Sequence, residues 1–162
     1  MEIVPIDSAS SYPATPDAVL ALLTDEQFLR DRAAALGAQV QGVTVAGTST
    51  STRLAAPTTG IPPVFARFVG SSVSVVERSA WSPDGAGGHR SELDVQAEVF
   101  GRVVQVTGER RLVPDPTGTR STVTGDATVD APLIGRQAEG AVRELVTVVL
   151  RKEDELLRRR LR

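Results

Sequence analysis

Residues 133–161, LIGRQAEGAVRELVTVVLRKEDELLRRRL, decide how the rest of this chain is read. Apolar residues recur at intervals of three and four through Ile134, Ala138, Ala141, Val142, Leu145, Val149 and Leu156, which predicts one long amphipathic helix. At about 1.5 Å per residue it would run roughly 43 Å, enough to cross a whole sheet. Everything from about Ala38 to Val129 is built differently. Short alternating runs, Gln39–Val45, Thr48–Ala55, Ser72–Ser82, Gly88–Val99, Arg102–Val113 and Arg120–Asp130, are punctuated by turn signals such as Pro83-Asp84-Gly85 and Pro114-Asp115-Pro116-Thr117-Gly118. A helix preceded by a meander of strands must bury its apolar stripe in the hollow of the sheet, and that packing readily encloses a pocket.

The segment before the meander completes the plan. Residues 2–12 form a first strand, interrupted by Pro5 and therefore suited to a sheet edge. Thr15 and Pro16 open a short helix carrying Val19, Leu20, Leu22 and Leu23. A second helix is expected from Thr24, whose spacing to Gln27 fits a capping box, with Phe28, Leu29, Ala33 and Leu36 as its stripe and Gly37 as its stop. The expected architecture is α+β: a seven-stranded antiparallel curved sheet wrapped around a long C-terminal helix, with two short helices between strands 1 and 2. One domain over 1–162 accommodates it.

Composition narrows the function. Cysteine is absent and His89 is the one histidine, so no thiolate chemistry and no histidine-rich metal site can be assembled. A net charge of -2 argues against general nucleic-acid binding. The N-terminus has neither the basic start nor the apolar run of a signal peptide, and no stretch is long enough for stable insertion across a membrane, so the expected compartment is the cytoplasm. His89, beside Gly85, Gly87 and Gly88, is expected in an exposed turn without a catalytic role. The alternating Glu92, Asp94 and Glu98 read as a solvated strand face rather than a cation site. No catalytic residue, metal ligand or cofactor is assigned.

Strand alternation turns Leu93, Val95, Ala97 and Val99 to one face, and by the same rule Val73, Val75 and Trp81, then Val104, Val106 and Leu112, then Val123, Ala127 and Val129 point inward. Two charges share that register. Glu77 lies between Val75 and Ser79, and Arg110 between Gly108 and Leu112. They either meet across a cavity, where Arg110 would hold an acidic group of a ligand, or a bulge at Gly108 carries Arg110 to the surface and leaves Glu77 at a wet mouth; the bulge is the expected arrangement. The candidate cavity residues are Phe65, Phe68, Val75, Glu77, Trp81, Leu93, Val95, Val106, Arg110, Ala138, Val142 and Leu145. Phe65 and Phe68, beside Pro62-Pro63, are expected to pack as an ordinary loop, with a lid as the alternative. The terminal arginines 158–160 are expected to complement the helix dipole and pair with Asp154 and Glu155.

The chain resembles an actinobacterial family known as domain of unknown function 2505, within the START-related and Bet v 1-like helix-grip (SRPBCC) superfamily. The segments that carry the resemblance are Tyr12-Pro13-Ala14 leading into Val19 through Leu29 with Leu23-Thr24-Asp25 between the helices, Trp81 ending a strand, Gly101 in a hairpin, and Pro132-Leu133-Ile134-Gly135 opening the last helix. These are packing and turn residues, not a catalytic signature. The superfamily implies an apolar cavity for lipids, sterols, polyketides or similar molecules. The expected function is therefore binding of a hydrophobic or amphipathic small molecule between sheet and C-terminal helix, without catalysis. Two rivals stand beside it: an enzyme of the polyketide cyclase/aromatase kind, and a protein-interaction module with a filled core. Oligomeric state is not legible.

Overall fold

The computed structural model describes residues 2–57, 72–99, 102–129 and 135–161, with side chains of the last helix from 143 onward. The order is β1 (Glu2–Tyr12), α1 (Pro16–Leu23), α2 (Glu26–Ala35), β2 (Gln39–Ala46), β3 (Ser49–Pro57), β4 (Ser72–Pro83), β5 (His89–Val99), β6 (Arg102–Asp115), β7 (Gly118–Val129) and α3 (Gly135–Arg160). The seven strands form one antiparallel sheet in the order β1-β7-β6-β5-β4-β3-β2, so β1 is an edge, as its Pro5 requires.

The two short helices share a tight junction. Thr15 caps α1, its hydroxyl accepting from the Ala18 N–H at 3.2 Å. Thr24, expected to open α2, instead closes α1, its hydroxyl donating to the Leu20 carbonyl at 2.8 Å. Asp25 is the cap of α2 and accepts from the Phe28 N–H at 2.9 Å. A carboxylate at the positive end of a helix gains from the dipole as well as from the hydrogen bond, which a hydroxyl cannot match.

The β6–β7 register runs unbroken through Gly108, which faces Gly125. There is no bulge. The two glycines instead let the strands press together: a Cβ on Gly108 would stand 2.0 Å from the Thr124 carbonyl oxygen, and one on Gly125 would stand 2.2 Å from that of Thr107. Side chains here would wedge the strands apart.

The core has two parts. Tyr12, Val19, Leu23, Phe28, Leu29, Trp81 and Leu112 close around Leu156 and Leu157, where α1 and α2 meet the C-terminal end of α3. Farther along, Val4, Ile6, Val123 and Ala127 receive Val146 and Leu150. The packed stripe of α3 is therefore Val146, Leu150, Glu153 and Leu157, one position on from the expected Leu145 and Val149. Those two are 43% and 36% exposed. The face assignment is corrected accordingly, while Leu156 packs as expected. From 145 to 150 only Thr147 is polar, so the apolar arc is too wide for periodicity to choose a face; contact with β1 and β7 chooses it.

Candidate functional site: a buried ion network at the end of an apolar trough

Four charged side chains from four elements meet inside the fold. Arg32 of α2 donates from Nη1 to Glu153 Oε2 of α3 at 2.7 Å and from Nη2 to Glu77 Oε2 of β4 at 3.0 Å. Arg110 of β6 grips the same Glu153 with two bonds, Nη2 to Oε1 at 2.5 Å and Nη1 to Oε2 at 3.3 Å. The guanidinium lies 5.9 Å from the centroid of the Trp81 ring, which offers it a π face. Two arginines and two glutamates make the cluster neutral, the condition under which buried charges are tolerable.

Arg32, Arg110 and Glu153 are each held charged by their partners against desolvation. Burial pushes the Glu153 carboxyl up, but Arg110 and Arg32 outweigh it and bring it down to about 2. Burial likewise works against the charge on Arg32, and Glu77 with Glu153 reverses that and raises its pKa. Arg110 is raised in the same way, chiefly by Glu153. Beside the cluster, burial raises the pKa of the Tyr12 hydroxyl, and the neighbouring Asp154 and Glu153 carboxylates add to the effect. Arg158 lies over the Tyr12 ring at 5.6 Å and donates to Asp154 at 3.0 Å. Arg160, expected to pair within its own helix, reaches across to Asp31 of α2.

The structure places Glu77 and Arg110 on the concave face, which overturns the expected bulge and surface position for Arg110. Each takes its partner from a helix: Arg32 for Glu77, Glu153 for Arg110. Sequence reasoning misses Arg32 and Glu153 because the inward-register test covers strands alone. Both carry the same signal in helical form. Arg32 stands four residues after Phe28 in the α2 stripe, and Glu153 stands between Leu150 and Leu157 in that of α3.

Glu77 marks a boundary. Its neighbours Thr52 on β3 and Ser79 on β4 are buried, whereas Val75 on its own strand and Val95 opposite on β5 are half-buried, as are Ala97, Leu93 and Val106. Among the described residues α3 meets the sheet mainly at β1 and β7; Leu93 and Val106 pack against the Val4–Ala127 cluster there, while Val75, Val95 and Ala97 form an apolar trough beyond it that is incompletely covered. Helical rotation of about 100° per residue puts Leu145 and Val149 on the flank of α3 turned away from β1. The opposite flank, with Arg143, Thr147, Arg151 and Asp154, joins Pro5, Ile6, Asp7, Ser8 and Ser10 in lining a groove of about 570 Å³ between β1 and α3.

Of the remaining candidates, Trp81 is in the packed core at 5% exposure. Phe65 and Phe68 lie outside the described residues, as do the side chains of Ala138 and Val142. His89 is not in an exposed turn. It begins β5, its side chain is 14% exposed, and Nε2 meets Asp17 Oδ1 of α1 at 2.7 Å. Among the described residues no group of three or more acidic or histidine side chains is placed to hold a metal ion, and no helix is long and apolar enough to cross a membrane.

A long helix held in a seven-stranded antiparallel sheet, with two short helices between the first and second strands, is the helix-grip fold of the START-related and Bet v 1-like superfamily. The chain belongs to the family described as protein of unknown function (DUF2505), whose family model matches residues 7–161. Solved structures agree on the fold. TTHA0849 from Thermus thermophilus is 20% identical with a TM-score of 0.60, covering 96% of this chain and 97% of that one. A START superfamily protein from Mycobacterium smegmatis is 14% identical with a TM-score of 0.55, covering 96% of each. The di-domain ARO/CYC StfQ from the steffimycin biosynthetic pathway is 12% identical with a TM-score of 0.63; the match takes in 96% of this chain and 50% of that one. No curated protein matches the sequence.

Proposed function

We propose that this protein binds a hydrophobic or amphipathic small molecule in the trough between β3–β6 and α3, and that it does so without chemistry. The observation that carries the reading is that Val75, Val95, Ala97 and Val106 on the concave strands are only half-buried and that Leu145 and Val149 of α3 are exposed, apolar surface left partly open to solvent. Apolar surface left beside a few convergent polar groups is what a small-molecule site consists of. The cyclase/aromatase alternative needs an acid or base free to move protons. Here the inward charges are spent on one another, and burial beside Asp154 and Glu153 raises the pKa of the Tyr12 hydroxyl and holds it protonated. That favours a container over a catalyst.

Native mass spectrometry of gently purified protein tests the reading. A small molecule released on collisional activation, and lost when Leu145 and Val149 are both replaced by aspartate, is the expected result. Protein that carries nothing and fails to enhance the fluorescence of the neutral apolar dye Nile red would favour the interaction module with a filled core.

A further inference from the structure

The ion network has four members but presents them unequally. Side-chain exposure is 6% for Arg32, 7% for Arg110 and 4% for Glu153, against 19% for Glu77. Both arginines are turned to partners inside: Arg110 is committed twice to Glu153, and Arg32 is divided between Glu153 and Glu77. Glu77 alone borders the trough, next to half-buried Val75 and Val95. One of its oxygens accepts from Arg32, and a carboxylate has room for further donors. The polar end of the trough is thus an acceptor backed by charge, although an arginine in the inward register suggests the opposite sign.

From this geometry we infer that the ligand carries a hydrogen-bond donor, an alcohol or a primary amine, at the end that meets Glu77, and that the trough discriminates against carboxylates. The inference rests on the container reading. An acidic head group would find the two arginines of the network already bonded through their terminal nitrogens to Glu153 and Glu77, with the unpartnered Nε of Arg110 sealed from solvent, and would stand beside the partly exposed Glu77 carboxylate. A hydroxyl or ammonium group would add a bond to Glu77 without disturbing the Arg32 contact, and the apolar remainder of the molecule would lie along Val75, Val95 and Ala97. The neutrality of the network also gives it no reason to release an arginine, since doing so would strand a buried carboxylate.

Displacement of Nile red by decanol, decylamine and decanoate at pH 7 tests the proposal with equal chain lengths and three head groups. Decanol and decylamine should bind at least about tenfold more tightly than decanoate, the scale on which one like-charge contact discriminates. In Glu77→Gln the decanoate deficit and the decylamine advantage should both shrink while decanol changes little, because the amide keeps an acceptor but loses the charge. Decanoate binding as well as or better than decanol in the wild-type protein overturns the donor inference and leaves the container standing. Failure of all three, and of the dye, overturns the container and the head-group inference with it. The wild-type ranking needs no variant, so a poorly folding Glu77→Gln would not obscure the answer.

Discussion

Glu153 does more than any other single side chain to join the parts of this protein. It contributes one carboxylate from the last helix to arginines from α2 and β6, residues separated from it by 121 and 43 positions. Replacing it by glutamine leaves Arg110 with no carboxylate among the described partners and Arg32 with only Glu77. Breaking a buried pair by removing one partner costs about 3–5 kcal/mol, so Glu153→Gln should lower the urea midpoint sharply. Acid should produce the same loss gradually. The folded-state pKa of Glu153 lies near 2, below its ordinary value of 4.5. Its contribution to stability is therefore complete above about pH 4.5 and is lost as the pH falls from there toward 2. Urea titrations from pH 6 to pH 3 should show a steeper decline for the wild type than for Glu153→Gln. Equal slopes would mean that the network does not set the acid limit.

Among the elements, α3 shows how a face is chosen. Leu157 is fully buried against Tyr12, Phe28, Leu29 and Leu112, whereas Leu145 is 43% exposed. Leu157→Ala should cost about 2–5 kcal/mol, while Leu145→Ala, removing a side chain with few close neighbours, should fall within about 0.5 kcal/mol of the wild type. Thermal and urea unfolding of the two variants side by side would show it, and comparable losses would mean that the helix is rotated from the position described. The contrast has a functional side. An exposed leucine that contributes little to stability is what the proposed ligand surface requires.

For the whole molecule, curvature of the sheet is the condition for gripping a helix at all, and the Gly108–Gly125 contact is where two adjacent strands press together. A methyl group at either position would meet the backbone of the opposite strand at 2.0 or 2.2 Å, a clash no side-chain rotation relieves. Gly108→Ala should therefore destabilise the protein by more than about 2 kcal/mol and widen the β6–β7 pairing locally, visible as faster amide hydrogen exchange at Thr107 and Thr124. Unchanged exchange and stability would show that the strands can separate at no cost. Because β7 also pairs with β1, and β1 borders the groove along α3, a change here should loosen that edge as well.

Element order and strand faces were legible in the residues themselves. Period-2 alternation placed Leu93, Val95 and Val106 inward, and turn residues set the strand ends to within two or three positions, because each depends on neighbours close in sequence. The register argument also singled out Glu77 and Arg110 as inward charges. Three matters were decided only by tertiary structure. The face of α3 is set by Val4, Ile6, Val123 and Ala127, since an apolar arc wider than one stripe has no preferred face of its own. The surface or interior position of Arg110 turned on whether Gly108 makes a bulge or a close strand contact, which depends on Gly125 opposite it. Lastly, the partners of the two charges lie on helices, 45 residues from Glu77 and 43 from Arg110. Which charge meets which is a property of the folded arrangement, because electrostatic pairing acts through space and leaves no fixed spacing along the chain.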